Sequence, residues 1–173
     1  VGGNAFGGTD AMVWAPDVAD TGSSSFALSK NLETVNNPVT LTATIKDVHG
    51  NNVADGTVVS FATDFGVLSG VACETTNGVC TDTVNSTTVG TSNITAMVGG
   101  NAFGGTDAMV WAPDVADAAN SSYGVDLSTI TAGQNVIYSA TVLDAHTNPV
   151  ADGIEVTFTL TNTNGATAGN VAP

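Results

Sequence analysis

The sequence is dominated by one internal repeat. Residues 1–20 recur without a single change as residues 98–117, at an offset of 97 residues, about the length of one small β-sandwich domain. The turn-rich stretch 47–56 matches 144–153 at the same offset, in weaker form. Similarity at a fixed period is typical of an array of like modules, and such arrays usually supply length, spacing or a repeated binding surface.

This period divides the chain into three parts. Residues 1–17 correspond to the last strand of a preceding module, residues 18–114 to one complete module, and residues 115–173 to the first part of a following module. Half a sandwich cannot bury a core and would expose unpaired strand edges. We therefore expect either that the native chain continues at both ends or that a neighbouring molecule completes each fragment.

The composition favours an all-β fold. Apolar residues make up 42% of the chain and charged residues only 10%. Thr, Val, Asn, Gly, Ala and Ser predominate, as in short strands joined by turns, whereas the usual helix formers are scarce. No apolar run approaches the roughly 20 residues of a membrane-spanning helix, and the sequence shows no signal peptide.

The charge is strongly one-sided, with 16 acidic residues against two lysines and a net charge of −14. Such a surface repels phosphate backbones, so we expect no nucleic-acid partner. High acidity keeps a Thr- and Val-rich surface soluble, and the scarcity of Lys and Arg leaves trypsin-like proteases few cleavage sites. Both properties suit an extracellular location, although an acidic or salt-adapted proteome would explain the charge equally well.

Alternating residues indicate the strands. In the stretch 40–45, Leu41, Ala43 and Ile45 share one face, and Val59 and Phe61 do the same further on. The pattern predicts about seven strands, a Gly-rich connection over residues 99–105 and no helix; the strands cover residues 26–28, 40–45, 57–61, 67–68, 79–84, 92–98 and 106–111. This number and spacing of strands predicts an immunoglobulin-like sandwich.

Within the complete module, the turn and strand residues follow a recognisable pattern: Asp47-x-x-Gly50-Asn51-x-Val53-x-Asp55-Gly56-x-x-Val59-x-Phe61, then Gly66-x-Leu68-Ser69 and Thr76-Asn77-Gly78-Val79. This set resembles the signature of bacterial group 1 immunoglobulin-like domains, the stalk modules of the invasin and intimin adhesins. The resemblance covers residues 18–114 and the available part of 115–173. It implies tandem Greek-key sandwiches in a rod that projects from a bacterial surface, and it implies no receptor-binding tip within these residues.

The two cysteines, Cys73 and Cys80, flank the turn dipeptide Asn77-Gly78. Two thiols near a tight turn in an exported, strand-rich protein predict a disulfide, and two buried free thiols are the alternative. Direct pairing across this turn would place Thr75, not Cys73, opposite Cys80. We therefore expect a wider or bulged turn if the bond forms.

Acidic residues cluster at both module junctions. Hard oxygen ligands between tandem β-domains can hold Ca²⁺, so one hypothesis is a calcium site at each junction. The spacing lacks the dense pattern of a self-contained calcium loop, and solvated turn aspartates are the other interpretation. The residues concerned are Asp10, Asp17 and Asp20 at the first junction and Asp107, Asp114 and Asp117 at the second.

Trp14 and Trp111 stand just before the Ala-Pro-Asp linkers. A large aromatic side chain there would wedge adjoining modules together and limit bending, unless it belongs to the core or edge of its own sandwich. Pro16 and Pro113 stiffen the linker in either case.

No pattern of nucleophile, base and orienting group appears, and no phosphate-binding loop, so we expect no enzymatic activity. The sequence predicts a non-catalytic repeat of a bacterial surface adhesin that acts as a rigid spacer. Its partners would be neighbouring modules, with a host receptor bound only through other domains. The alternative is a subunit of an extracellular fibre or sheath, assembled by strand complementation between molecules.

Overall fold

The computed structural model describes residues 11–131 and 133–159. Within them the chain forms eleven strands and no helix, which confirms the predicted all-β class. The strands are β1 (Ser25–Leu28), β2 (Leu32–Thr34), β3 (Val39–Thr44), β4 (Val58–Thr63), β5 (Val67–Leu68), β6 (Ala72–Glu74), β7 (Val79–Asn85), β8 (Gly90–Val98), β9 (Asn101–Ala112), β10 (Ser122–Val125) and β11 (Tyr138–Thr141).

Strands β1 to β9 form two sheets, and we call this unit the sandwich. One sheet has the order β1-β3-β7-β5 and is antiparallel throughout. The other has the order β2-β9-β8-β4-β6, in which β2 runs parallel to β9 while the remaining pairs are antiparallel. The architecture is the immunoglobulin-like sandwich that the alternating pattern predicts.

The core lies between the two sheets and is built from the inward faces of the strands. On β3, the predicted face of Leu41 and Ala43 is fully buried and continues into Ile45, and opposite it Phe61 packs on Phe26 with 5.8 Å between ring centroids. Apolar residues recur at every second position along these strands, so one side of each sheet is removed from water. The buried apolar residues are Phe26, Val35, Val39, Leu41, Ala43, Ile45, Val53, Val59, Phe61, Cys80, Val84, Ile94, Ala96, Val98, Phe103, Met109 and Trp111.

The Gly-rich connection predicted over residues 99–105 is wrong for most of its length, because β9 already begins at Asn101. The turn consists of Gly99 and Gly100 alone, whose φ values of 57° and 79° suit a two-residue hairpin turn. The other two glycines, Gly104 and Gly105, have φ values of 70° and 84° and lie where the register between β8 and β9 shifts. They form a bulge within the strand.

Two strands of the sandwich were not predicted from the sequence, β2 and β6. Each has only three residues and lies at an edge of the five-stranded sheet. So short a strand shows no alternating pattern, and its pairing is decided by the neighbouring strand.

The predicted disulfide is confirmed, since Cys73 and Cys80 are bonded with their Cα atoms 5.9 Å apart. The expected wider or bulged turn is wrong, because Asn77 and Gly78 form a tight two-residue turn, with φ values of 53° and 75°. Beyond it the two chain segments separate: β6 pairs with β4 in one sheet and β7 pairs with β3 in the other. The disulfide therefore joins the two sheets, which explains how residues that are not opposite each other in a hairpin form the bond.

The residues that follow the sandwich repeat part of its pairing. Ser122 pairs with Thr141, as Ser25 pairs with Thr44 at an offset of 97 residues, and the rest of the β10–β11 register follows β1–β3 in the same way. We call residues 113–159, apart from 132, the following segment. The module limits at residues 17/18 and 114/115 stay a prediction.

Candidate junction site

The following segment contains a buried carboxylate that organises a tight turn. The N–H groups of His146 and Asn148 donate to Oδ1 of Asp144 at 2.8 and 2.9 Å. The N–H of Asp114, two residues beyond the end of β9, donates to Oδ2 at 3.1 Å. Asp144 thus fixes residues 144–148, which we call the Asp144 turn, to the chain that leaves the sandwich.

Asn148 connects this turn to the sandwich itself. Its Nδ2 donates to both carboxylate oxygens of Asp144, at 3.1 and 3.0 Å, and also to the carbonyl oxygen of Thr87 at 2.9 Å. Its Oδ1 accepts a hydrogen bond from the N–H of Val89 at 3.1 Å. Asn148 is only 5% exposed. One primary amide therefore uses its donor and acceptor sides together to hold two parts of the chain.

The sandwich offers Asn148 a loop of defined shape, residues 86–89, which we call the β7–β8 loop. The hydroxyl of buried Ser86 donates to the carbonyl oxygen of Thr88 at 2.7 Å and accepts a bond from the Thr88 N–H at 3.1 Å. These local bonds favour one loop conformation. Asn148 meets only main-chain atoms of Thr87 and Val89, so recognition depends on the shape of the loop more than on those side chains.

The sandwich carries an equivalent turn, residues 47–51, which we call the Asp47 turn. His49 and Asn51 donate their N–H groups to Oδ1 of Asp47 at 2.9 and 2.8 Å, and Asp17 donates to Oδ2 at 3.2 Å. Asn51 Nδ2 also bonds both carboxylate oxygens. The internal bonds of the two turns correspond one for one, yet Asn51 is exposed.

The pKa values of both turn carboxyls are lowered to about 2. For Asp47 the largest cause is the hydrogen bond from the Asn51 side chain, and further N–H donors lower the pKa against the effect of burial. For Asp144 burial is the largest influence and raises the pKa, but the bonds from Asn148 and other N–H donors outweigh it. Both groups are ionised at neutral pH and act as acceptors only.

Four of the six predicted calcium ligands accept separate local hydrogen bonds. Asp17 and Asp114 each accept from the next N–H in the chain. Asp20 accepts from the Ser23 N–H, Asp117 accepts from Asn120, Asp107 lies on β9, and Asp10 lies outside the described residues. In the described ranges, no three His, Cys, Asp or Glu side chains are grouped to hold a metal ion. The calcium site at the junctions stays an untested hypothesis beside that of solvated turn aspartates.

Trp111 lies in the core of its own sandwich rather than at the junction. It is 2% exposed and donates its indole N–H to the hydroxyl of Ser92 at 2.8 Å. The wedge between modules is therefore not formed by Trp111, because its ring faces inward between the sheets. Trp14, at the equivalent position of the first repeat copy, is 86% exposed. Pro16 and Pro113 each directly precede the aspartate whose N–H enters a turn.

Comparison with known protein families identifies the family of this domain. The family described as "Invasin, domain 3" matches residues 20–112, which is more than half of the chain. The chain belongs to this invasin domain family. Domains of this family are non-enzymatic parts of adhesion proteins, in agreement with the expectation that the chain is not an enzyme.

Solved structures show the same fold. The crystal structure of invasin, described as a bacterial integrin-binding protein, has a TM-score of 0.64 and 24% identity, covering 79% of this chain and 29% of that one. The Escherichia coli adhesin FdeC has a TM-score of 0.61 and 20% identity, covering 80% and 46%. InvD of Yersinia pseudotuberculosis has a TM-score of 0.53 and 27% identity, covering 77% and 41%.

The invasin-family chain thus spans less than half the length of each of these three structures. None of the curated proteins matches it. A helix long and apolar enough to cross a membrane is not found in the described part of the chain.

Sequence reasoning missed the residue that makes the junction in this invasin-family chain. Asn148 and its equivalent Asn51 stand in the repeated stretch that marks the period, four residues after a repeated aspartate. An Asn at this spacing from Asp, preserved at an offset of 97 residues where neighbouring positions change, was the available signal. It predicts a side chain that closes the turn, but not that one copy also reaches the β7–β8 loop.

Proposed function

We propose that this chain is a non-catalytic spacer segment of a bacterial surface adhesin, in which sandwiches follow one another at a fixed orientation. Membership of the invasin domain family supports the adhesin assignment. The repeat of 97 residues, present both in the sequence and in the strand register, supports a serial arrangement. Receptor recognition is assigned to other domains of such an adhesin.

The observation that carries the spacer role is the contact of Asn148 with Thr87 and Val89. A linker that is merely flexible leaves successive units free to rotate. Here the following segment is attached twice, through the covalent linker at Pro113 and through the amide of Asn148. Two attachments at different places restrict bending, as a spacer of defined length requires.

The acidic surface and the disulfide support an extracellular location. Disulfides persist mainly in oxidising compartments, and the bond between Cys73 and Cys80 joins the two sheets of the sandwich. With two lysines and no arginine, the chain also offers few cleavage sites to trypsin-like proteases.

Nuclear magnetic relaxation tests whether the junction is rigid. In the wild-type chain we expect the amides of β10 and β11 to report the same overall tumbling as those of the sandwich. Asn148→Ala should uncouple the two, whereas Asn51→Ala, which removes the same bonds to a turn carboxylate but no contact with a loop, should not. Independent tumbling in the wild-type chain would contradict the spacer role.

The mass of the protein from its native source distinguishes the spacer from the fibre subunit. A mass far above 17.1 kDa, measured under denaturing and non-reducing conditions, is expected for an adhesin with serial modules. A mass near 17.1 kDa would overturn the serial arrangement in favour of half-sandwiches completed between molecules.

A further inference from the structure

The Asp47 turn has every internal bond of the Asp144 turn, but within residues 11–131 and 133–159 no loop is docked on it. The carboxylate of Asp47 is buried, and the side-chain amide of Asn51 is already oriented by its two bonds to that carboxylate. Asn51 is nevertheless exposed, whereas Asn148 is buried against the β7–β8 loop. The difference between the two asparagines is therefore the presence of a loop, not the conformation of the turn.

We propose that the Asp47 turn is a docking site for the β7–β8 loop of a second copy of this sandwich, positioned directly before residue 18. This inference rests on the proposed function and adds the residues of the joint to it. The partner must offer a carbonyl oxygen and, two residues later, an N–H group on the same side. A loop closed like that at Ser86 supplies this pair through Thr87 and Val89.

The path of the chain into the turn favours this occupant. Asp17 donates its N–H to Asp47 at 3.2 Å, and Asp114 donates to Asp144 at 3.1 Å. Residues 11–17, which lead to Asp17, are identical to residues 108–114, which lead to Asp114 from the sandwich. A sandwich that ends in this linker therefore delivers its β7–β8 loop to Asn51 over the same distance along the chain as the present sandwich delivers it to Asn148.

The docking is expected to tolerate changes in the side chains of the loop. Asn148 hydrogen-bonds only main-chain atoms of the β7–β8 loop, and Ser86 holds that loop in shape. The site thus selects a loop conformation, and within a series of related units any loop with a hydroxyl residue at the Ser86 position satisfies it.

The repeat allows a direct test without inventing a linker. Placing a copy of residues 18–97 before Val1 creates one further complete unit, because residues 1–17 are identical to residues 98–114. In this extended chain we measure amide hydrogen exchange of Val89 in the added copy, with the original Val89 as internal reference. We expect Asn51→Ala to accelerate exchange in the added copy about tenfold, the effect of losing one ordinary hydrogen bond. The original Val89 should be unaffected.

Asn148→Ala is the matched control, since it should accelerate exchange at the original Val89 alone. Ser86→Ala in the added copy is the second variant, because it leaves the Asp47 turn intact and should also release the added Val89. Equal exchange of the added Val89 with and without Asn51, while Asn148 still protects the original one, would overturn this inference and leave the spacer role standing. If Asn148→Ala changes nothing at the original Val89, the proposed function itself fails.

Discussion

Trp111 and Ser92 are joined by a hydrogen bond of 2.8 Å within the core, on the adjacent strands β9 and β8. The hydroxyl of Ser92 in turn donates a hydrogen bond to the carbonyl oxygen of Phe65, at 2.7 Å, and Ser92 is completely buried. A single hydroxyl therefore satisfies the one polar group of the largest core side chain and a main-chain carbonyl. The sandwich can bury a tryptophan here because its N–H has this partner.

Ser92→Ala should destabilise the sandwich by about 1–3 kcal/mol, because it leaves the buried indole N–H of Trp111 without a partner. The carbonyl oxygen of Phe65 keeps the hydrogen bond that it accepts from the hydroxyl of Thr63. The measurement is urea-induced unfolding followed by Trp fluorescence. Thr91→Ala, on the exposed face of the same strand, is the control and should change stability by less than about 0.5 kcal/mol. Equal effects of the two substitutions would show that the bond to Trp111 is not stabilising.

Reduction of the Cys73–Cys80 bond should lower the free energy of unfolding by about 2.5 kcal/mol, the chain-entropy value for so short a loop. Unfolding curves with and without a reducing agent give this difference. The double variant Cys73→Ala, Cys80→Ala should match the reduced protein and should not respond to the reducing agent. An oxidised protein no more stable than the double variant would contradict the prediction.

Acid should destabilise the protein through the turn carboxyls. The folded-state pKa of Asp47 and of Asp144 is about 2, below the unfolded value of roughly 3.9. The stability that these groups contribute is therefore complete above the unfolded pKa and is lost as the pH falls from about 5 towards 2. Urea unfolding measured across this range should show a smaller acid loss in Asp47→Asn than in the wild-type chain. An unchanged pH dependence would rule Asp47 out as a contributor.

Millimolar calcium should not raise the melting temperature relative to EDTA, because four of the described junction aspartates accept separate local hydrogen bonds and a fifth, Asp107, lies on β9. Thermal unfolding followed by circular dichroism provides the comparison. A rise of several degrees with Ca²⁺, absent with Mg²⁺, would instead support the interdomain calcium site. In that case Asp114→Asn and Asp117→Asn should abolish the rise.

Alanine substitutions at two adjacent glycines should distinguish the cost of a steric clash from the cost of backbone strain. Gly104 and Gly105 both have positive φ, but a Cβ at Gly104 would lie 3.0 Å from the main-chain nitrogen of Phe26, whereas nothing lies within 4 Å of one at Gly105. Gly105→Ala should cost only the backbone strain of about 1–2 kcal/mol. Gly104→Ala should cost more, because main chain cannot move aside as a flexible side chain can. Equal losses in chemical denaturation would show that the approach to Phe26 is unimportant.

Much of the sandwich followed from its sequence because its long strands alternate. Leu41, Ala43, Val59 and Phe61 were predicted to face the core, and all four are buried. The edge strands and the start of β9 were not predicted, since three-residue strands show no period and glycines within a strand resemble a loop. The disulfide was predicted from compartment and spacing, but its position between two sheets depends on the separation of β6 from β7.

The junction was the hardest part to predict. The sequence analysis singled out the junction aspartates for their charge and Trp111 for its size. The group that joins the following segment to the sandwich is instead the neutral side-chain amide of Asn148. A residue type so common in turns gives no signal of its long-range role, because that role depends on a loop 59 to 61 residues earlier in the chain.

The parallel pairing of β2 with β9 has a mechanical consequence. The chain enters the sandwich before β1 and leaves it at the end of β9. There Ala112 of β9 pairs with Thr34 of β2. Tension applied between the two ends pulls β2 and β9 in opposite directions along their common axis. Their hydrogen bonds, together with those from Val35 to Ala112 and from Val110 to Asn31, then carry the load side by side. Such bonds must rupture together, whereas those of a hairpin pulled open at its ends break one at a time.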